Sequence, residues 1–430
     1  MTKKKKICLC LFLLHWIFLW ASINTNPNEI YLFGQNFSKS INSMRILLAL
    51  TSTALISLYF FFTLFFEKIK IEKIHLFFIL YFSSQLLGLY LNEERIFNAY
   101  NSYLPILALG SIFLFSLCNH TGANNLIKYF FTICILFLIA VFVLVLVFKF
   151  PEMTNLNFYK AFANHDNNFL GNANPRITGL SRMLAIINLF FILYFFKLNN
   201  FYLKKILITL LIIFSVILIF MQSRGTLVCY FFTATIIILF LINKKNNFRV
   251  KYFLLLVALP IALYLFSNNN LISKNTEHSN AINTHNRIIS TNLSGRFDIW
   301  SYTLNNHDYK KIFGYGANGD RFLLKKFDKK NRYGDNTSNI LLYSLVSGGV
   351  ASVVFLILIF AEIVKIFFQN KKYFFSYKNS FYVNFSIVCL IFFTVRSLFE
   401  NSFGLFSTDF LIIYVSISYI LVSVRGFEST

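Results

Sequence analysis

Long apolar runs alternate along the chain with short polar connectors, many of them rich in lysine. Within a run the apolar residues are continuous and do not alternate one by one, which predicts helices and not barrel strands. Most runs are long enough, at about 1.5 Å per residue, to cross about 30 Å of hydrocarbon. The pattern predicts about twelve spans, at 7–22, 44–66, 74–90, 102–118, 129–150, 180–196, 206–222, 225–242, 252–267, 339–368, 380–397 and 406–424. The expected fold is therefore all-α, a polytopic membrane protein with one long outer loop containing short amphipathic helices. Four divisions follow: residues 1–175 with the first five helices, 176–267 with the next four, the polar loop 268–338, and 339–430 with the last three.

Composition agrees with this reading, since 57% of the 430 residues are hydrophobic and 13% charged, against about 25% charged in soluble domains. The net charge of +23 changes the picture only through its placement. Lysines gather in the connectors 3–6, 67–73, 197–205, 244–251 and 370–378, the positive-inside pattern, so the partner they imply is the membrane lipid and not nucleic acid. With the amino terminus inside, every one of these connectors is cytoplasmic, and 268–338 faces outward. The first run resembles a signal peptide, but "LWASINTN" offers a poor cleavage site and the run is kept as a span. The six cysteines fall in or at the ends of apolar runs, which argues against a disulfide scaffold or zinc site.

Candidate chemistry begins with an arginine inside the apolar stretch 206–242. One helix over that stretch is about 55 Å long, nearly twice the hydrocarbon thickness, so it must hold two spans. The break falls on "SRG", where Ser223 and Gly225 supply turn chemistry and Arg224 comes to the outer mouth of a helical hairpin. An arginine at bilayer depth is kept for a use or an escape to water. Arg176 in "NPRITGLSR" and Arg296 in "LSGRFDIW" are expected on the same outer side. Guanidinium forks that converge at a membrane surface match a phosphate or diphosphate.

The loop 268–338 is too long for a plain connector. In "SGRFDIWSYTL", Phe297, Trp300 and Leu304 have helical spacing and predict an amphipathic helix. "KKIFGYGANGDRF" carries three glycines between Gly314 and Gly319, which suits a tight turn where backbone closely approaches a ligand. Trp300, Tyr302, Tyr309, Tyr315 and Tyr333 are candidates to stack on sugar faces, or to form an interfacial aromatic belt.

"SRG" opening a span, then "GRFDIW", "GYG" and "SNILLYSLVSGGV", with "RITGLSR" before the sixth span, resemble the bacterial O-antigen ligase and O-antigen polymerase superfamily. The resemblance covers mainly residues 176–350. It implies an inner-membrane glycosyltransferase acting at the periplasmic face. Such an enzyme moves a glycan from undecaprenyl diphosphate to an acceptor glycan or to lipid A-core. It also implies that Arg224 and Arg296 bind the diphosphate, with Arg176 as a further substrate-binding candidate. No cofactor is implied, and no carboxylate cluster in the outer loops points to a metal.

One departure bears on mechanism. In the ligases a histidine eleven residues before a glycine opens the span after the large loop and takes part in acceptor activation; here that position is Ser338, followed by Asn339, with Gly349 eleven residues on. Serine is a poor base at neutral pH, so the candidates to replace it are Asp335, His307 and Glu400, the last also able to pair with Arg396 a helical turn earlier. The missing histidine favours a polymerase over a ligase. The rival of another class is a lipid-linked oligosaccharide flippase, which calls for mid-membrane charges and repeated halves; the sequence shows no clear repeat, and its charges gather on one face.

Overall fold

The computed structural model describes residues 4–11, 14–15, 35–67, 71–92, 99–120, 132, 135–136, 139–140, 143, 177–198, 200–221, 223–242, 296–325, 327, 336–369, 381–404 and 407–428. Among them the secondary structure is entirely helical. Besides the helical residues 4–11, eleven helices follow in chain order: α1 Gln35–Glu67, α2 Lys73–Leu91, α3 Ala99–His120, α4 Ile177–Lys197, α5 Phe201–Phe220, α6 Arg224–Ile242, α7 Arg296–Asn306, α8 Gly319–Leu324, α9 Ile340–Gln369, α10 Phe381–Ser397 and α11 Thr408–Glu428.

Six of these, α1 to α5 and α9, are long and apolar enough to cross a membrane, and shorter apolar stretches lie at Gly225–Ile237, Phe381–Ser397 and Asp409–Ser423. Nine of the expected spans thus fall on one helix each. The span at 252–267, most of 129–150 and part of 7–22 lie outside the described residues. Along α1, Leu55, Leu58, Phe61, Phe62, Phe65 and Phe66 are exposed. On a helix that crosses a bilayer, such a face meets lipid and not water.

The helices pack in two groups. In one, α2 lies along α9, and α3 packs on α1 and α2; in the other, α4, α6 and α10 pack on one another, with α5 against α4 and α11 against α10. Contact between α3 and α11 joins the groups. At that seam His75 hydrogen-bonds Tyr414, and Asn119 Nδ2 donates to His75 Nε2 at 2.9 Å. His15 adds a second buried tie, 2.9 Å from Ser52 and 3.2 Å from Ser111. Polar ties of this kind hold helices together where water supplies no hydrophobic force.

α9 is broken at Gly349, whose φ of 65° and ψ of −164° are open only to glycine. The 20 residues after the break suffice for one crossing, while 340–348 form a separate first segment. The break receives the glycine-rich turn 311–319. Tyr315 N donates to Val346 O at 2.7 Å, and Ala351 N to Ile312 O at 3.3 Å, so backbone groups freed by the kink are satisfied by the turn. A side chain on Gly349 would strike Ile312 O, and one on Gly88 of α2 would strike Phe313 O. The close backbone approach expected of "GYGANG" is therefore made to α2 and α9.

Candidate functional site

The starts of α4, α6, α9 and α11 meet the ends of α5 and α10, Asn339 before α9 donating to Leu398 O just after α10. Side chains verify this: Ser181 of α4 donates to Thr226 of α6 at 3.4 Å, and Arg182 of α4 pairs with Asp409 of α11. The predicted break between α5 and α6 is present. α5 stops at Phe220 with Met221 as its C-cap, and Ser223 O accepts from Leu227 N at 2.9 Å to open α6 at Arg224. Of Arg224 itself only the backbone is described. Its neighbour Gly225 sits against Phe399: a Cβ there would be 3.8 Å from Phe399 Cβ.

Phe399 precedes Glu400, and Glu400 Oε1 accepts from Arg296 Nη2 at 3.4 Å. α7 begins at Arg296, so the first residue of the amphipathic helix meets the connector between α10 and α11. The face α7 buries is Ile299 and Thr303. Phe297 and Leu304, expected in its apolar stripe, are exposed, and Trp300 is half-buried. Trp300 Nε1 donates to Thr337 O at 2.8 Å, which fixes α7 against the segment entering α9.

Beside Glu400 lies a polar cavity of about 150 Å³ whose wall includes Arg182, Asp320, Tyr343, Arg396, Glu400 and Asp409. Its floor is an ion triad. Asp409 accepts from Arg396 Nη1 at 2.6 Å on one oxygen and lies 2.8 Å from Arg182 Nη1 on the other, and Ser402 Oγ bonds both Arg396 and that carboxylate. Arg396 and Asp409 are almost wholly buried, with side chains 5% and 4% exposed, so the triad is held together by the absence of water. Two guanidiniums against one carboxylate give the triad one excess positive charge, while the cavity as a whole is lined by three arginines, Arg182, Arg321 and Arg396, and three carboxylates, Asp320, Glu400 and Asp409.

Asp320 of α8 is the third carboxylate on this wall, with Glu400 and Asp409. Its Oδ2 accepts from Thr337 N at 3.1 Å, Thr337 Oγ1 at 3.3 Å and Asn401 Nδ2 at 3.4 Å, and its Oδ1 from Arg321 N at 2.9 Å. Burial raises its pKa above the ordinary carboxylate value, and the hydrogen bonds from Thr337 and Arg321 N, with the charge of Arg321, only partly oppose the rise. Three segments are tied to it: α8, the segment leading into α9, and the connector after α10.

The expected site residues are placed as follows. Arg296 and Glu400 are in contact, and the backbone of Arg224 is on the same face. Arg176 and Asp335 lie outside the described residues. Ser338 has a positive φ of 46° and spends its hydroxyl on Asn336 Oδ1 at 2.6 Å. Asn339 caps α9, its Oδ1 accepting from Leu341 N at 2.9 Å and Leu342 N at 3.2 Å, while its Nδ2 donates to Leu398 O. Tyr315 is buried beneath Lys311, whose Nζ stands 4.4 Å over its ring. His307 packs on Tyr309 and Tyr315 away from the cavity, its pKa lowered by burial. The alternative pairing of Glu400 with Arg396 is not formed, because α10 stops at Ser397 and Arg396 turns to Asp409.

Sequence reasoning passed over Arg182, Asp320 and Asp409. Arg182 and Asp409 carried a readable signal: single opposite charges at the mouths of apolar runs, which need each other if the runs are neighbours. Asp320 carried none, since an aspartate after "GANG" reads as a turn residue.

Residues 207–359 match the family described as O-antigen ligase. The matched stretch runs from α5 to the middle of α9 and contains Arg224, Arg296 and Asp320; Arg182, Arg396, Glu400 and Asp409 stand outside it. No curated protein and no solved structure matches the chain.

Proposed function

We propose, for a chain whose residues 207–359 match the O-antigen ligase family, the role of a multi-pass glycosyltransferase that moves a glycan from undecaprenyl diphosphate to a sugar hydroxyl. In this reading the chain spans the inner membrane about twelve times and works at the periplasmic face, where the arginine-bearing helix ends lie. The observation that supports it best is the Arg296–Glu400 contact beside a cavity lined by Arg182, Arg321 and Arg396, on the face where α6 opens with Arg224.

The chemistry follows from the charges. An acceptor oxygen attacks the anomeric carbon as the bond from that carbon to the diphosphate oxygen breaks, and the bonding pair leaves with the diphosphate. Negative charge grows on the leaving group, and guanidiniums fixed in place before the reaction stabilise it without reorganising. Arg224 and Arg296 are assigned to the diphosphate. Glu400 holds Arg296 in register, and Arg182 and Arg396, steadied by Asp409, supply the positive field behind it. Arg176, whose position is expected from the sequence alone, is the further substrate-binding candidate, and Trp300 offers a half-buried indole to an acceptor sugar. No step in this scheme calls on a metal ion.

A polymerase is favoured over a ligase. The serine at 338 stands where ligases have histidine, and its hydroxyl is already committed to Asn336. The deciding experiment is the lipopolysaccharide pattern of a deletion strain. Molecules with a single repeat unit indicate a polymerase. Long chains left on the carrier indicate a ligase that joins them to lipid A-core, and repeat units trapped on the cytoplasmic leaflet indicate a flippase and overturn the reading.

A further inference from the structure

Transfer to a sugar hydroxyl needs a group to take the proton, and with serine at 338 the family's histidine does not supply it. Three carboxylates line the cavity. Asp409 is clamped by two guanidiniums at 2.8 and 2.6 Å, and an ion pair of that kind suppresses basicity. Glu400 faces the guanidinium of Arg296. Asp320 has no ion-pair contact within 4 Å among the described residues; the charge of Arg321 next to it lowers its pKa in part, and Tyr343 lines the same cavity. Its four hydrogen bonds are unevenly shared: three donors converge on Oδ2 and a single backbone N–H reaches Oδ1. Oδ1 therefore keeps a lone pair for an incoming hydroxyl. The donors also fix the carboxylate in one orientation, because they come from three separate segments.

We propose that Asp320 is the general base that receives the acceptor hydroxyl proton on Oδ1. The assignment rests on the transferase reading above. As the acceptor O–H bond breaks, its proton passes to Oδ1 and its oxygen forms the new glycosidic bond. The bond from carbon to diphosphate opens with its electron pair moving to the departing diphosphate. The proton on Asp320 then leaves to water or to the released diphosphate, and the carboxylate is restored. A base raised above the ordinary carboxylate range is better matched to the task than a salt-bridged one.

The test uses membranes of the native strain bearing the full-length protein, with the strain's own lipid-linked glycan and acceptor, and reads polyprenyl diphosphate release against pH. Asp320→Asn is expected to slow release by about 10²–10⁴-fold at unchanged protein level and to abolish the acidic limb of the profile. Thr337→Val removes a donor to the ionised form and keeps the carboxylate, so the acidic limb is expected to move to higher pH, a shift that a merely structural aspartate would not produce. Should Asp320→Asn fail to accumulate, that shift carries the test. Wild-type release in Asp320→Asn, or an unmoved limb in Thr337→Val, overturns the assignment. Arg296→Ala separates the two claims: if it alone is slow, the transferase reading stands without this base, and if it too releases at the wild-type rate, the transferase reading itself fails.

Discussion

Arg296, at the first turn of α7, lies 3.4 Å from Glu400, which stands 104 positions further along the chain in the connector between α10 and α11. Both side chains are about a quarter exposed, at 23% and 28%, so the pair contributes at most about 0.2–1 kcal/mol to stability. Its value is positional. Arg296→Ala is expected to leave the protein level and thermal midpoint nearly unchanged while lowering glycan transfer by about 10²–10³-fold. Glu400→Gln, which frees the guanidinium without removing it, should have a smaller effect. Glycan transfer and thermal midpoints measured on the same membrane preparations check both expectations.

Asp409 presents the opposite case. Replacing it with Ala leaves Arg182 and Arg396 with a buried, uncompensated charge, a loss of about 3–5 kcal/mol. The expected outcome is a marked fall in folded protein, read as monodisperse yield after detergent extraction. Arg182→Met and Arg396→Met together with Asp409→Leu should recover yield while leaving transfer impaired, because apolar substitutes pack but offer no field.

Two glycines should respond oppositely to alanine. At Gly349 the backbone conformation excludes a Cβ and Ile312 O occupies its place, so Gly349→Ala should destabilise by at least about 1–3 kcal/mol. At Gly225, in the first turn of α6, a Cβ would meet only ordinary contact with Phe399. Gly225→Ala should be neutral or stabilising by about 0.5–1 kcal/mol. Thermal midpoints of the two variants in detergent test the contrast.

The buried carboxylate of Asp320 predicts a pH trend in stability. Its folded pKa lies above its ordinary value of 3.8, so the folded state holds this proton more tightly than the unfolded state does. Wild-type stability relative to Asp320→Asn is then greatest at acidic pH and declines as pH rises from the ordinary carboxylate range through the raised folded value. Melting both proteins from about pH 4 to about pH 8 should show the gap moving in the variant's favour.

Much of this architecture could be read from the chain. Continuous apolar runs gave the helices, and the impossible length of 206–242 located the break at Ser223 and Arg224, because both follow from local periodicity and bilayer thickness. The alternation of spans also put Arg296, Glu400 and the start of α6 on one face. What could not be read depends on contacts across the fold. The partner of Arg396 is thirteen positions away at Asp409, not at the helical neighbour that spacing favours. The turn of three glycines is shaped by α2 and the kink of α9, and Tyr315, which looked like a sugar platform, is buried under Lys311. The buried face of α7 falls on Ile299 and Thr303, since the tertiary neighbours and not the helix's own apolar stripe decide which side is covered.

The central claim is that guanidiniums on this face hold the carrier diphosphate as it departs. Polyprenyl diphosphate release from native lipid-linked glycan, compared between wild type and Arg224→Ala at matched membrane levels, tests it most directly. A fall of about 10²–10³-fold with lipid-linked glycan accumulating is the predicted result. Unchanged release and unchanged polysaccharide length would contradict the account.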